Sequence, residues 1–194
     1  TQIDAETTPA KDLVEIEKAT ERCFKVMNNF IEFSNPKNSN FVAMNLDEII
    51  QKTIPLLKVP LRSHQLDLRL ASEKVEILAD PSLVQHVIFN LIQNATQAMK
   101  EKGAILVSTQ VSKKKVALKI SDSGDGIALE HQSLIFEPFF TTKPAGKGTG
   151  LGLSVSIGIV KDHKGEIYVK SEMNQGTTFF IDIPIPEMAK MPTQ

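Results

Sequence analysis

Three groups of residues in this sequence have types and spacings that suit chemistry. Asn90 and Asn94 stand four positions apart, so on a helix both amides border one apolar stripe and can face a shared cleft. Such pairs are common and gain meaning only from their neighbours. The run Asp122-Ser-Gly-Asp-Gly126 directly follows a strand pattern. A carboxylate at a strand end can accept a hydrogen bond from an exocyclic amine, and Gly124 and Gly126 let the backbone turn tightly beside a ligand. Taken alone, the run also fits a plain Asp-Gly turn. The third group, Gly146-Lys-Gly-Thr-Gly-Leu-Gly152, has four glycines at alternate positions leading into a helix pattern. Backbone N–H groups at such a helix start form an anion site favoured by the helix dipole. Four glycines cost conformational entropy that a plain linker has no reason to lose. The spacing matches neither a P-loop nor the dinucleotide fingerprint that follows the first strand of a βαβ unit.

The elements that must position these groups alternate between helix and strand. Asn45, with Glu48 three residues on, predicts a capped amphipathic helix through Ile49, Ile50, Ile54 and Leu57 to about residue 58, despite Pro55. Leu66, Leu68 and Leu70 alternate as a strand. Asp80 followed by Pro81 opens a helix running to about Lys100, with a stripe of Val84, Ile88, Leu91, Ala95 and Ala98. Segments 104–111 and 116–121 read as a hairpin across a solvated Lys113–Lys115 turn. Residues 122–150 form a connection whose length marks it as functional or mobile. A helix over 151–162, closed by Gly165, and strands over 166–170 and 177–183 complete an α+β, two-layer sandwich: helices on one face of a mixed, mostly antiparallel sheet.

Upstream, residues 1–12 read as a loose end. Leu13, Ile16, Thr20, Cys23, Met27 and Phe30 follow a strict a/d spacing, which predicts a helix over 13–35 that pairs with others, ended by Asn35-Pro36. Residues 36–40 read as a linker, 41–186 as the main domain and 187–194 as a tail. The 194 residues are 41% hydrophobic and 23% charged, an ordinary soluble mix. A net charge of −1 gives no global basic excess for nucleic acid or an anionic membrane, so phosphate binding must be local. One cysteine, Cys23, makes an internal disulfide or a cysteine metal site impossible, and a reducing, cytoplasmic setting is the expectation. No uncharged apolar run approaches the ~18 residues of a membrane span. A start lacking Met reads as a piece of something longer, whose full length leaves room for a membrane anchor.

Together these motifs resemble the ATP-binding domain of sensor histidine kinases, within the gyrase, MutL and histidine-kinase ATPase superfamily. Phe89-Asn-Leu-Ile-Gln-Asn-Ala95 resembles the family's N box, Asp122–Gly126 its G1 box, Phe136-Glu-Pro-Phe-Phe-Thr-Thr-Lys143 its F box and Gly148–Ser154 its G2 box, with Gly176-Thr-Thr-Phe179 completing the set. The likeness covers about residues 40–186. More loosely, Glu17–Arg22 through Phe33-Ser-Asn-Pro36 is similar to the second helix of the family's dimerisation and phosphotransfer hairpin. The resemblance implies ATP and Mg²⁺ as cofactors, a homodimer formed through helix 13–35 in the full-length protein, and a response-regulator receiver domain and the protein's own acceptor helix as partners.

Residue by residue, the resemblance implies that Asp122 binds the adenine amine, with Thr177 nearby and Gly124, Gly126 and Ile127 around it. Asn94 would give its carbonyl oxygen to Mg²⁺, and Asn90 would line the same site. About Ile127–Lys147 would be the ATP lid. Gly148, Thr149, Gly150, Leu151 and Gly152 would cradle phosphate, and Lys143 and Lys147 would neutralise the γ-phosphate. Two departures stand out. Many family members carry a Lys or Arg three residues after the metal-binding asparagine, whereas this chain has Gln97, so the charge must come from the lid. Moreover, His64, His86, His131 and His163 all lie in the ATP-binding part, and none has the acceptor's His-Glu/Asp-x-x-Asn/Thr-Pro context. The expected reaction is therefore γ-phosphoryl transfer to a histidine on a helix outside this chain. An ATP hydrolase of the same fold is the alternative, but it would place a glutamate base where Asn90 stands, and an amide cannot act as a base. A non-catalytic nucleotide-binding scaffold is the third reading.

Overall fold

The computed structural model describes Ile16, Thr20, residues 40–71, Glu73, and residues 75–99, 102–144 and 148–186. Ile16 and Thr20 are helical, with the Thr20 hydroxyl donating to the Ile16 carbonyl at 2.8 Å. The remainder of the expected 13–35 helix, most of the linker and the tail lie outside the described residues.

Strand β1 (Val42–Asn45) leads into α1 (Leu46–Thr53), where Asn45 Oδ1 caps the helix by accepting from Asp47 N–H at 2.8 Å. Pro55 has no N–H to give, and the α-helix expected to reach residue 58 stops at Thr53. It tightens into a 3₁₀ turn (Ile54–Leu57) and resumes briefly as α2 (Lys58–Leu61). After β2 (Gln65–Arg69) and β3 (Glu76–Ala79) comes the long α3 (Pro81–Ala98). Asp80 caps α3, its Oδ1 accepting from Ser82 N–H at 2.9 Å and Leu83 N–H at 3.2 Å. Next are β4 (Ala104–Val111), β5 (Lys115–Asp122), the short α4 (Leu129–Gln132), α5 (Gly152–Asp162), β6 (Glu166–Glu172) and β7 (Gly176–Pro184).

Five strands form one sheet in the order β2-β4-β5-β7-β6, with β2 parallel to β4 and every other pair antiparallel. This is the mixed, mostly antiparallel sheet anticipated. Strands β1 and β3, which the sequence reading did not contain, pair separately with Val42 opposite Ala79. Lys115, expected in the turn, instead opens β5, because its ammonium pairs with the Asp182 carboxylate on β7. One face of the sheet supplies Ile105, Val107, Leu118, Ile120, Phe179 and Ile181 to the core. Val84, Ile88, Leu91 and Ala95 of α3 and Val155 and Ile159 of α5 close over it. At roughly 1.5–3 kcal/mol per buried aliphatic side chain, this layer sets the position of α3 against β5. The α3 residues bordering the stripe are thereby held beside the C-terminal end of that strand.

Candidate nucleotide site

Asp122 is the last residue of β5. Its Oδ1 accepts from the N–H of Gly124 at 2.8 Å and of Thr177 at 3.2 Å, while Oδ2 makes no hydrogen bond among the described residues. Burial pushes this carboxyl above its ordinary pKa, against the opposing pull of the two N–H bonds. The group is thus a fixed, partly desolvated acceptor with one oxygen left to offer.

The turn after Asp122 is clamped on two sides. Asp125 N–H donates to Ala98 O at the end of α3, and a Cβ on Gly124 would come within 2.7 Å of that same carbonyl oxygen. Gly126 lies against the Glu172 carbonyl. Ile127 N–H donates to Ser171 Oγ at 2.8 Å, and Gln132 Nε2 ties Ile127 O to Ser171 O at 2.9 and 2.8 Å. Ser171 Oγ also donates to Gly176 O at 2.9 Å and lies 2.9 Å from Thr177 Oγ1. Since Ser171 has a single proton, given to Gly176 O, Thr177 donates to Ser171 in that contact. Ser171, absent from the sequence reading, therefore links Ile127 to Thr177 and through it to Asp122. A lone serine on a strand carries no motif that could have shown this.

The two asparagines of α3 reach different elements. Asn90 Nδ2 donates to Ser156 Oγ at 2.9 Å, and Ser156 in turn donates to Gly152 O at 2.9 Å, so Asn90 is fastened to the first turn of α5. The fit is close: a Cβ on Gly152 would lie 2.4 Å from Asn90 Oδ1. Asn94 Oδ1 accepts from Lys143 Nζ at 3.2 Å, and the same ammonium donates to Gln97 Oε1. Burial pushes the Lys143 pKa down.

The glycine run ends in an anion-ready helix start. Asn45 and Asp80 cap α1 and α3, but among the described residues no side chain caps α5. Its first-turn N–H groups therefore lack side-chain acceptors, the condition in which a helix N-terminus takes up an anion. Leading into it, Gly148 lies against Thr141 and Lys143, Thr149 Oγ1 accepts from Leu151 N–H at 3.3 Å, and Leu151 is buried. Gly150 has φ +68° and its carbonyl accepts from Phe139 N–H at 2.9 Å, so the connection folds back onto the run. Lys147 lies outside the described residues. The long connection over 122–150 carries the short α4 and a series of hydrogen-bonded turns over 128–140.

A divalent cation suits these donors. Asn94 Oδ1 already receives the ammonium of Lys143, so a positive charge is accommodated at that oxygen. Among the described residues no cluster of three or more His, Cys, Asp or Glu could hold a metal ion alone. One neutral oxygen fits an ion such as Mg²⁺ that keeps water and phosphate as its other ligands. Of the histidines, His163 has both ring nitrogens engaged, Nδ1 with Ile159 O at 2.7 Å and Nε2 with Asp80 N–H at 3.0 Å.

The five-stranded sheet with helices closing over one face is an α+β domain, and its candidate site combines a carboxylate at a strand end, an amide pair on the facing helix and a helix start without a side-chain cap among the described residues. The chain belongs to the histidine kinase-, DNA gyrase B- and HSP90-like ATPase family, whose pattern matches residues 79–187. It is 38% identical over 164 residues to the signal transduction histidine-protein kinase AtoS of Escherichia coli K12, covering 83% of this chain and 27% of AtoS. It is 35% identical over 177 residues to the sensor histidine kinase ZraS of the same strain, covering 90% of this chain and 38% of ZraS. The chain thus spans well under half the length of either relative. The catalytic domain of the histidine kinase ThkA superposes with a TM-score of 0.68 at 34% identity, over 75% of this chain and 98% of that one. ThkA in complex with the response regulator protein TrrA superposes with a TM-score of 0.76 at 29% identity, over 95% of this chain and 53% of that one. Among the described residues no helix is long and apolar enough to cross a membrane.

Proposed function

We propose that this chain is the ATP-binding catalytic part of a sensor histidine kinase, passing the γ-phosphoryl of Mg-ATP to a histidine on a helix outside the chain, for relay to a response-regulator aspartate. The observation carrying this reading is Asp122, whose Oδ1 is clamped by two N–H groups while Oδ2 is left for an exocyclic amine. With adenine there, phosphates run toward the uncapped start of α5, between Asn94 and the lid. The Gly152 end of α5 and Lys143 would supply positive charge to the phosphates, and Asn94 Oδ1 would be the protein's ligand to the metal. Bound Mg²⁺ would neutralise charge on the phosphates and fix their geometry. The protein's share is positioning and charge stabilisation about an in-line nucleophile.

Asn90 favours transfer over hydrolysis, because an amide fastened to Ser156 cannot take a proton from water. Likeness to ThkA, solved with its response regulator, supports a receiver domain as the downstream partner. Dimerisation through the 13–35 helix and a cytoplasmic location complete the proposal.

The test is incubation of the chain with radiolabelled Mg-ATP, with and without an acceptor-helix fragment from the full-length protein. Acid-labile phosphate should appear on the fragment and not on the chain. Label on His64, His86, His131 or His163 would overturn the assignment of the acceptor.

A further inference from the structure

We infer that Gln97 is a positioning residue for Lys143: together with Asn94 it seats the lysine ammonium at the C-terminal end of α3 in the nucleotide-free chain. The lysine thereby covers the Asn94 oxygen and latches the lid to α3 until a triphosphate draws it away. The inference rests on the nucleotide placement proposed above.

Lys143 belongs to the lid, 49 positions from Asn94 and 46 from Gln97, so this contact joins two otherwise separate elements. A lysine only donates, which fixes both amide orientations: Asn94 Oδ1 and Gln97 Oε1 must face the ammonium. The two oxygens lie three residues apart on one helix face, and the negative end of the helix dipole adds to their pull. Among the described residues no carboxylate pairs with Lys143, and its desolvation is matched only by neutral dipoles. A phosphate oxygen is a stronger partner than an amide oxygen, so the ammonium is held firmly enough to order the lid and loosely enough to be handed on. The stem is aimed from the lid side as well. Lys143 N–H donates to Thr141 Oγ1 at 3.2 Å, and a Cβ on Gly148 would come within 3.1 Å of Lys143 Cδ.

The seat acts on two events. Before nucleotide binds, it closes the lid over a cation-occupied Asn94. As nucleotide binds, it delivers the lysine next to the phosphates, and the vacated Asn94 oxygen becomes free for the metal. Gln97 holds the lysine up to its release and makes no contact to the nucleotide, whereas Lys143 goes on to the phosphates.

Gln97→Leu and Lys143→Met separate these roles. In amide hydrogen exchange on the nucleotide-free chain, both variants should speed exchange over residues 137–144 by about tenfold or more, as expected when a hydrogen bond to a charged group is lost. The double variant should exchange no faster than Lys143→Met, which already removes both contacts, and the amides of β5 and β7 should be unchanged in all. In calorimetric titration with Mg-ATP, Gln97→Leu should bind within about threefold of the parent or tighter, because the lid no longer has to be unlatched. Lys143→Met should lose about tenfold, having lost its phosphate contact. Unchanged exchange in Gln97→Leu would overturn the latch, and an affinity loss in Gln97→Leu equal to that of Lys143→Met would make Gln97 a nucleotide contact instead. A parent chain that bound no ATP would count against the proposed function itself, a failure distinct from either.

Discussion

The Thr177 N–H donates to Asp122 Oδ1 at 3.2 Å across 55 positions of sequence, joining the start of β7 to the end of β5. The approach is possible because the residue before Thr177 is Gly176, with φ +89°, where a Cβ would lie 2.0 Å from Asp122 O. Gly176→Ala should therefore destabilise the domain by about 2–3 kcal/mol, from left-handed strain and a backbone collision. It should also weaken ATP binding by shifting Thr177 off the carboxylate. Urea unfolding followed by nucleotide titration checks both. Unchanged stability would mean that the β6–β7 turn relaxes freely.

Asp80 should account for part of the acid limb of stability. Burial alone would raise its pKa, but hydrogen bonds from Ser82, Asn40 and Leu83 outweigh this and hold it below the ordinary value. A lowered folded pKa means stabilisation present above the unfolded pKa and lost as pH falls through the folded one, in the region below about pH 4. Asp80→Ala should cost about 1–2 kcal/mol at pH 7, the usual range for a lost N-cap, and flatten the stability profile below pH 4. Denaturation midpoints between pH 3 and pH 7 for parent and variant would read this directly.

Asn90→Asp keeps the shape that fits against Gly152 but places a carboxylate at the uncapped start of α5. The new charge should cap those N–H groups itself, leaving thermal stability equal or higher. Phosphate should be excluded in turn, with ATP affinity falling by about tenfold or more. A drop in melting temperature with ATP affinity intact would remove the α5 start from the phosphate path.

The residues that sequence made legible are those whose role is local. Asp80-Pro81 opens α3 as a cap must, and the glycine run enters α5 at Gly152. Strands β4 and β5 alternate buried with half-buried positions over most of their length, and that pattern survives reading in isolation. Strands β1 and β3 were not legible because four residues are too few to establish a period, and their pairing depends on a partner more than thirty positions away. Lys143 shows the same limit at the site. Its type and its place in the lid suggested phosphate, but nothing local says that its ammonium rests on Asn94 and Gln97. Ser171 and Ser156 were invisible for the same reason, since each acts through a hydroxyl bonded to a residue of another element.

The most direct measurement is calorimetric titration of Mg-ATP into the parent and Asp122→Asn, paired with thermal melts of both without nucleotide. Asparagine keeps an oxygen for the Gly124 and Thr177 N–H groups, but turns a donor toward the base where Oδ2 would accept. Because burial raises the Asp122 pKa, its ionised form opposes folding at pH 7, a cost that begins as pH rises through the unfolded pKa and is complete above the folded one. The account predicts that Asp122→Asn melts at the same temperature as the parent or higher while losing about a hundredfold in ATP affinity, the scale of a buried amine left facing a donor. Equal ATP affinities in two equally folded proteins would contradict it.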